Sequence, residues 1–328
     1  MLDNWFSIDE IFHILRRIRR DPVFRSKLTG RLRLTRKGRI MATWAHSEAP
    51  PTGWWDIPAV QGRWNKMISG DENIDHRKYV AMRYGKGATR WRGLSLGCGT
   101  GRKEIQWART GIFASIDAYD QSRQRILAAI ESIAHVPEAE IIRYRDADVL
   151  NLDLPNQYYD VVMFEHSLHH FSPLEMLLQR VKRALKPGGL LVADEFVGPT
   201  RFQWTNRQLA AVNGLLQVIP REYTLLLNSR FPRLKSIRPS KLSMWLSDPS
   251  EAIESSNIIP LLQKHFQTME IKGYGGSILH LLLSGVAHHF INPDVQGQRL
   301  LDLCFAAEDL LLDSHEIDHD FALIICRA

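Results

Sequence analysis

Cysteine is scarce in this 328-residue chain, which has only Cys98, Cys304 and Cys326. None stands at metal-ligand spacing, and three are too few for a disulfide framework. The chain therefore reads as a protein of a reducing cytoplasm, with no metal expected. Long apolar runs are missing as well. The longest, Ile278 to Ile291, is broken by His280, His288 and His289 and is too short to span a bilayer. The opening residues carry Asp3, Asp9 and Glu10 in place of the basic-then-apolar order of a secretory signal. No internal repeat or low-complexity tract is present. The body also lacks any excess of charge. Of the net +6, residues 1–45 supply eleven Arg or Lys against four Asp or Glu, and the remaining 31 basic and 32 acidic residues nearly cancel.

What is there begins with that basic segment. Ser7 and Glu10 match a capping box, and Ile8, Ile11, Phe12, Leu15 and Ile18 recur at helical spacing, which predicts a helix over 7–20. Arg16, Arg17, Arg19 and Arg20 close it, and the basic run continues from Arg25 to Arg39. Its apolar stripe suits packing on this chain or on a twin. Its cations suit an anionic lipid surface, so peripheral membrane contact through 7–39 and a homodimer are both open. Residues 44–66 are dense in tryptophan and proline and read as an irregular segment pinned by its aromatics, a flap over a pocket. A helix is expected from Asp75 to Tyr84.

From Leu94 onward strands and helices alternate. Short apolar runs at 94–96, 113–119, 140–144, 159–164 and 190–193 are separated by helical patterns, which predicts an α/β fold with a parallel sheet covered on both faces. The alternation breaks from about Phe196 to Asn257. It resumes with a helix at 258–266, a strand at 268–274, a helical insertion over 277–315 and a last strand at 320–327. The division expected is a basic N-terminal segment 1–45, a Trp/Pro-rich lead-in 46–92, a core of 93–197 plus 257–328, and a lid insertion 198–256.

Between the first strand and its helix lies Leu96-Gly97-Cys98-Gly99-Thr100-Gly101, with three glycines in five residues. Glycine accepts φ > 0 and lets a ligand lie against bare backbone. The spacing is not the Gly-x-Gly-x-x-Gly of dinucleotide sites. In open parallel sheets ligands bind at the carboxyl ends of strands. There the sequence places Asp120, suited to the two hydroxyls of a ribose, and Asp146-Ala147, suited to an adenine amino group and ring nitrogen. Asp117 competes with Asp120 for the ribose.

These motifs, with Tyr159-Asp160-Val161-Val162, Leu168-His169-His170 and Leu185-Lys186-Pro187-Gly188-Gly189, resemble those of class I S-adenosylmethionine-dependent methyltransferases over residues 93–197. The resemblance implies a doubly wound, mostly parallel, seven-stranded Rossmann-like sheet with an antiparallel last strand. It implies S-adenosylmethionine as cofactor, bound by Leu96, Gly97, Cys98, Gly99, Gly101, Asp120, Asp146, Ala147 and Glu165. The family usually has an acidic residue where Ser95 stands, so a hydrogen bond that orders the turn must come from elsewhere or be missing. The Trp-rich lead-in and Gly275-Gly276-Ser277-Ile278-Leu279-His280 look like uncharacterised bacterial members of the family.

Methyl transfer to a hydroxyl needs a base, and His166, Glu165 and His169 follow the fourth strand, with His166 the first choice. The chain lacks Asp/Asn-Pro-Pro-Tyr/Phe after that strand, the arrangement of base and amide nitrogen methylation, which favours an oxygen or carbon acceptor. Glu195, Arg201 and Trp204 leave the fifth strand on the ligand side and are expected to meet substrate, with Arg207 nearby. A small molecule, such as a saccharide, is the expected acceptor. A nucleic-acid methyltransferase using the basic arm is the alternative, disfavoured by the neutral body, and a non-catalytic cofactor-binding scaffold is a third.

Overall fold

The computed structural model describes residues 53–85 and 90–328, so the helix expected over 7–20 and the basic run to Arg39 lie outside the described residues. Two helices lead in: α1 (Pro58–Ser69) and α2 (His76–Tyr84). The first corrects the expectation that residues up to 66 are irregular. Pro58 sits in its first turn, where its missing N–H costs nothing, and Gly70 ends it in the left-handed region at φ 89°. Asp75 caps α2 by accepting the Lys78 N–H.

The alternating core follows as β1 (Trp91–Leu96), α3 (Arg102–Ala108), β2 (Phe113–Asp120), α4 (Arg123–Ile133), β3 (Ile142–Asp146), β4 (Tyr159–Glu165), α5 (Leu174–Ala184) and β5 (Leu185–Phe196). Pro173 is the N-cap of α5. Then come α6 (Asn206–Val218), α7 (Lys241–Ser247), α8 (Ile258–His265), β6 (Gln267–Gly273), α9 (Leu279–Leu283), α10 (Val295–Asp313) and β7 (Phe321–Arg327). The seven strands form one sheet in the order β3-β2-β1-β4-β5-β7-β6. Strands β1 to β5 pair in parallel, and β7 runs antiparallel between β5 and β6.

Successive side chains of a strand point to opposite faces, and here both faces are buried. Val161 and Met163 of β4 enter one core with Trp54, Ile57, Trp107 and Leu279, while Val162 and Phe164 enter the other with Leu174, Leu178 and Leu262. The α5 stripe of Leu174, Leu177, Leu178 and Val181 is fully inaccessible. Each such side chain contributes about 1.5–3 kcal/mol. Strand order reverses between β1 and β4, and the loops after these two strands open at that point.

Candidate active site

A cavity of about 1230 Å³ lies across the carboxyl ends of β1, β2, β4 and β5. One end is bounded by the turn after β1. Gly97 and Cys98 both donate their N–H to the Tyr119 carbonyl, at 2.8 and 3.1 Å, which bends the chain sharply off the strand. Gly97 has φ 81°, and a Cβ there would lie 2.7 Å from Ser167 Cβ, so no other residue fits. Gly97, Cys98, Gly99 and Thr100 line the cavity. Leu96 and Gly101 do not. Leu96 is fully buried in the core, and Gly101 abuts Tyr144 Oη where the turn meets α3.

Asp120 ends β2 inside this cavity. Its Oδ2 accepts the Gly99 N–H at 2.9 Å and its Oδ1 accepts the Ser122 N–H at 2.8 Å, so one carboxylate ties the glycine turn to the start of α4. Asp117, three residues back on the strand, accepts the Tyr159 hydroxyl at 3.2 Å and does not reach the cavity. The structure corrects the expectation for the third strand. Asp146 is exposed and still paired in the sheet opposite Asp120, and the Ala147 N–H is spent on the Asp120 carbonyl at 3.0 Å. The chain turns inward only afterwards, so Asp148, Val149 and Leu150 line the cavity instead.

The other end of the cavity holds imidazoles and carboxylates among aromatic rings. Glu165, last in β4, accepts from Arg77 Nε at 2.9 Å, from the Arg77 terminal nitrogen and from Trp107 Nε1, with His76 Nε2 at 3.2 Å. Burial pushes its pKa up, but Arg77 and His76 overcome this and hold the carboxyl well below the usual range. Its backbone carbonyl accepts from Lys103. So fully engaged a carboxylate is poorly placed to take a substrate proton.

His166 follows, with φ 50°, in a region that a β-branched or bulky residue rarely adopts. Its N–H donates to the Asp194 carbonyl at 2.8 Å, and its Nε2 stands 3.5 Å from Asp194 Oδ2. Asp194 Oδ1 accepts the Tyr274 hydroxyl at 2.6 Å. Burial lowers the His166 pKa below the usual imidazole value, with Asp194 opposing, so the ring is neutral at neutral pH.

His169 is different. Its Nδ1 meets Glu195 Oε2 at 2.6 Å and its Nε2 faces Glu251 Oε1 at 3.5 Å. Burial pulls its pKa down, but these two carboxylates raise it to about 10, so the ring is a cation and not a base. Glu195 is fully buried behind it, its Oε1 accepting the N–H groups of Ser167 and Leu168, both at 2.6 Å. Glu195 therefore does not line the cavity.

Arg201 and Trp204 do not line it either. The Arg201 guanidinium donates to the carbonyls of Asp248, Pro249 and Glu251, and Trp204 stacks on Phe202 with centroids 5.2 Å apart. Arg207 pairs with Glu316 on the surface. The rings that do face the cavity include Trp55, Trp64, Phe171, Phe196, Phe202, Tyr274 and Phe321. His280 stands among them; burial lowers its pKa to about 4, and its Nδ1 is buried without a hydrogen-bond partner. Neither these rings nor Glu251 and His280 were singled out from the sequence as site residues; Glu251, His280 and most of the rings come from segments without a strand-end signal, and Phe196 ends β5 beside the acid that was chosen.

Residues 94–193 match the family model described as a methyltransferase domain. Demethylmenaquinone methyltransferase of Desulfitobacterium hafniense is 31% identical over 108 residues, 33% of this chain and 43% of that protein. The 27-O-demethylrifamycin SV methyltransferase of Amycolatopsis mediterranei is 30% identical over 110 residues, 32% of this chain and 38% of that protein. The chain thus spans less than half the length of these curated relatives. Among solved structures, phosphoethanolamine N-methyltransferase 2 of Haemonchus contortus with S-adenosyl-L-methionine aligns with TM-score 0.50 at 16% identity, over 88% of this chain and 59% of that chain.

The chain carries a class I S-adenosylmethionine-dependent methyltransferase domain, on a Rossmann-like seven-stranded sheet. S-adenosylmethionine is the methyl donor of that class. The residues present suit it: a turn without side chains at Gly97 and Gly99, a carboxylate at Asp120, and apolar Val149 and Leu150 beyond. No helix among the described residues is long and apolar enough to cross a membrane.

Proposed function

We propose that this protein transfers a methyl group from S-adenosylmethionine to a hydroxyl of a small molecule with a flat apolar face, with His166 as the general base. The donor supplies an electrophilic methyl on a sulfonium, so the chain must align the acceptor and take its proton. On this reading Gly97 and Gly99 admit the methionine end, Asp120 takes the ribose hydroxyls, and Asp148 with Val149 meets the adenine. The aromatic walls exclude water from the acceptor half.

One observation carries the assignment of the base. Of the three side chains expected to serve, His166 alone is a neutral imidazole lining the cavity; Glu165 is clamped by Arg77 and Trp107, and His169 is a cation between two carboxylates. Behind it, Asp194 and Tyr274 form a fixed acceptor and donor pair that holds the ring and stabilises it once protonated. A backbone held in the left-handed region at a ligand-facing histidine also fits a site where strain is retained for positioning. The names of the relatives, a quinone precursor in one and a hydroxyl of an ansamycin in the other, support an aromatic or polyketide-like acceptor over a saccharide.

A methyl-donor turnover screen over phenols, quinols, sugars, lipids and RNA tests this. The expected result is turnover on a hydroxyl acceptor that His166→Ala reduces by roughly 10²–10⁴-fold while cofactor binding is unchanged. Turnover on RNA alone, or a His166→Ala variant as fast as the parent, would overturn it.

A further inference from the structure

We propose that His169, His170 and Glu251 form a binding site for one divalent first-row transition-metal ion in the wall of the cavity. One ligand atom from each lies within 4.8 Å of the others, and all three residues line the cavity. Two imidazoles and one carboxylate suit zinc, iron(II), cobalt or nickel, whereas magnesium and calcium take oxygen ligands.

Three features separate this set from an ordinary ion pair. First, His169 Nε2 and Glu251 Oε1 are 3.5 Å apart. A charge-assisted hydrogen bond is shorter, about 2.7–2.9 Å. Two ligands of one tetrahedral ion, each bound at about 2.1 Å, stand roughly 3.4 Å apart. The observed gap is that of a coordination edge.

Second, both histidines have Nδ1 on polar support. His169 Nδ1 is held by Glu195 at 2.6 Å, and Glu195 is itself fixed by two backbone N–H groups. Ser250 Oγ lies 2.6 Å from Asp248 Oδ1, so its single proton goes to that carboxylate. Its 3.4 Å contact with His170 Nδ1 then has the histidine as donor. With Nδ1 so engaged, Nε2 is the ligand atom of each ring, and His169, a cation without the ion, gives its Nε2 proton to solvent as the ion binds. A metal-ligating histidine typically gives its other N–H to a carboxylate or similar acceptor, which fixes tautomer and orientation.

Third, the neighbouring set of His76, Glu165 and Asp194 is a foil. There the charge is already met, because Arg77 and Trp107 occupy Glu165 and Tyr274 occupies Asp194. In the His169 cluster the Glu251 carboxylate faces the His169 imidazole instead, at 3.5 Å. An ion held by three protein ligands keeps coordination positions directed into the cavity, where an oxygen of a bound acceptor fits.

The test uses the whole chain after chelator treatment, titrated with Zn²⁺ by calorimetry and with Co²⁺ by visible absorption. One ion per chain is expected, with a Co²⁺ spectrum of nitrogen and oxygen ligands. Affinity should fall by at least 100-fold in His170→Ala and in Glu251→Gln, and by about 10–100-fold in Glu195→Gln, which acts only through His169. His76→Ala should leave it unchanged. Binding of S-adenosylmethionine, measured in parallel, reports that each variant is folded and keeps this result separate from the methyl-transfer reading. No saturable metal binding in the parent chain overturns the proposal. So does unaltered affinity in both His170→Ala and Glu251→Gln, or a thiolate charge-transfer band with Co²⁺.

Discussion

Ser95 Oγ donates a 2.6 Å hydrogen bond to Glu104 Oε1 beneath the glycine turn, and both side chains are buried. The resemblance led one to expect an acid at position 95. The carboxylate is supplied instead from the first turn of α3, nine residues later, and reaches back under the loop it helps to order. Burial raises the Glu104 pKa to about 7, against the Ser95 hydrogen bond, and Oε2 has no hydrogen-bond partner.

A folded-state pKa above the ordinary 4.5 means that the folded chain keeps this proton longer than the unfolded chain does. The stability tied to it is fully present below about pH 4.5 and is lost as pH rises through about 7, a change of roughly 3 kcal/mol. Glu104→Gln keeps an acceptor for the Ser95 hydroxyl and carries no charge. Thermal unfolding should show the variant gaining on the parent between pH 5 and pH 8. Parallel curves for the two proteins would refute the assignment.

Asp120 and Asp148 both line the cavity, whereas Asp146 and Asp117 do not. Calorimetry with S-adenosylmethionine should therefore separate them. Asp120→Ala frees the Gly99 and Ser122 N–H groups as well as removing the carboxylate, and a loss of at least tenfold, about 1.4 kcal/mol, is expected. Asp148→Ala should also weaken binding, and Asp146→Ala should leave it within twofold. Equal losses in Asp146→Ala and Asp148→Ala would mean that the adenine side has been misplaced.

This pair of aspartates also marks how far the sequence could be read. Short, nearly continuous apolar runs and the glycine turn identify β1, β2, β4 and β5 and the end of the sheet expected to bind ligand, since those signals are local. The cavity lining after the third strand begins two residues beyond the expected Asp146, because the sheet pairing opposite Asp120 runs on through Asp146, and pairing length is set by the partner strand. Helix α1 was hidden by the tryptophan and proline density around it, which looks irregular until Trp54, ahead of the helix, is seen packed edge to face on Trp64 within it at 5.2 Å. Arg201 leaves β5 in the expected direction, yet three backbone carbonyls from a segment 47–50 residues away claim its guanidinium. Such partners have no footprint in local pattern. The same holds for Arg77, whose carboxylate lies 88 residues on.

His166 provides a kinetic test. Its base form is neutral, and burial moves its pKa below the usual 6.5 while Asp194 pulls the other way. The kcat/KM for a hydroxyl acceptor should rise with pH, with the midpoint of the rise below pH 6.5 and a plateau by pH 8. Asp194→Asn removes the opposing charge, so the rise should move to still lower pH and the plateau should fall as the ring loses its support. A limb centred above pH 7 in the parent enzyme would exclude His166 as the base.

Arg77 and Glu165 join α2 to the end of β4, through a contact in which the carboxylate side chain is only 6% exposed. Arg77→Met leaves that carboxylate buried with Trp107 and His76 but without its main counter-charge. Breaking a buried pair from one side costs about 3–5 kcal/mol, whereas replacing both partners with apolar groups is often near neutral. Denaturant unfolding of Arg77→Met, Glu165→Leu and the double variant should therefore give a strong coupling, with the double variant more stable than Arg77→Met alone. The lead-in helix would then be docked by this pair, and cofactor binding should recover with stability in the double variant. Simple additivity of the two single effects would show that the indole and imidazole contacts already balance the charge, and that Arg77 adds only packing.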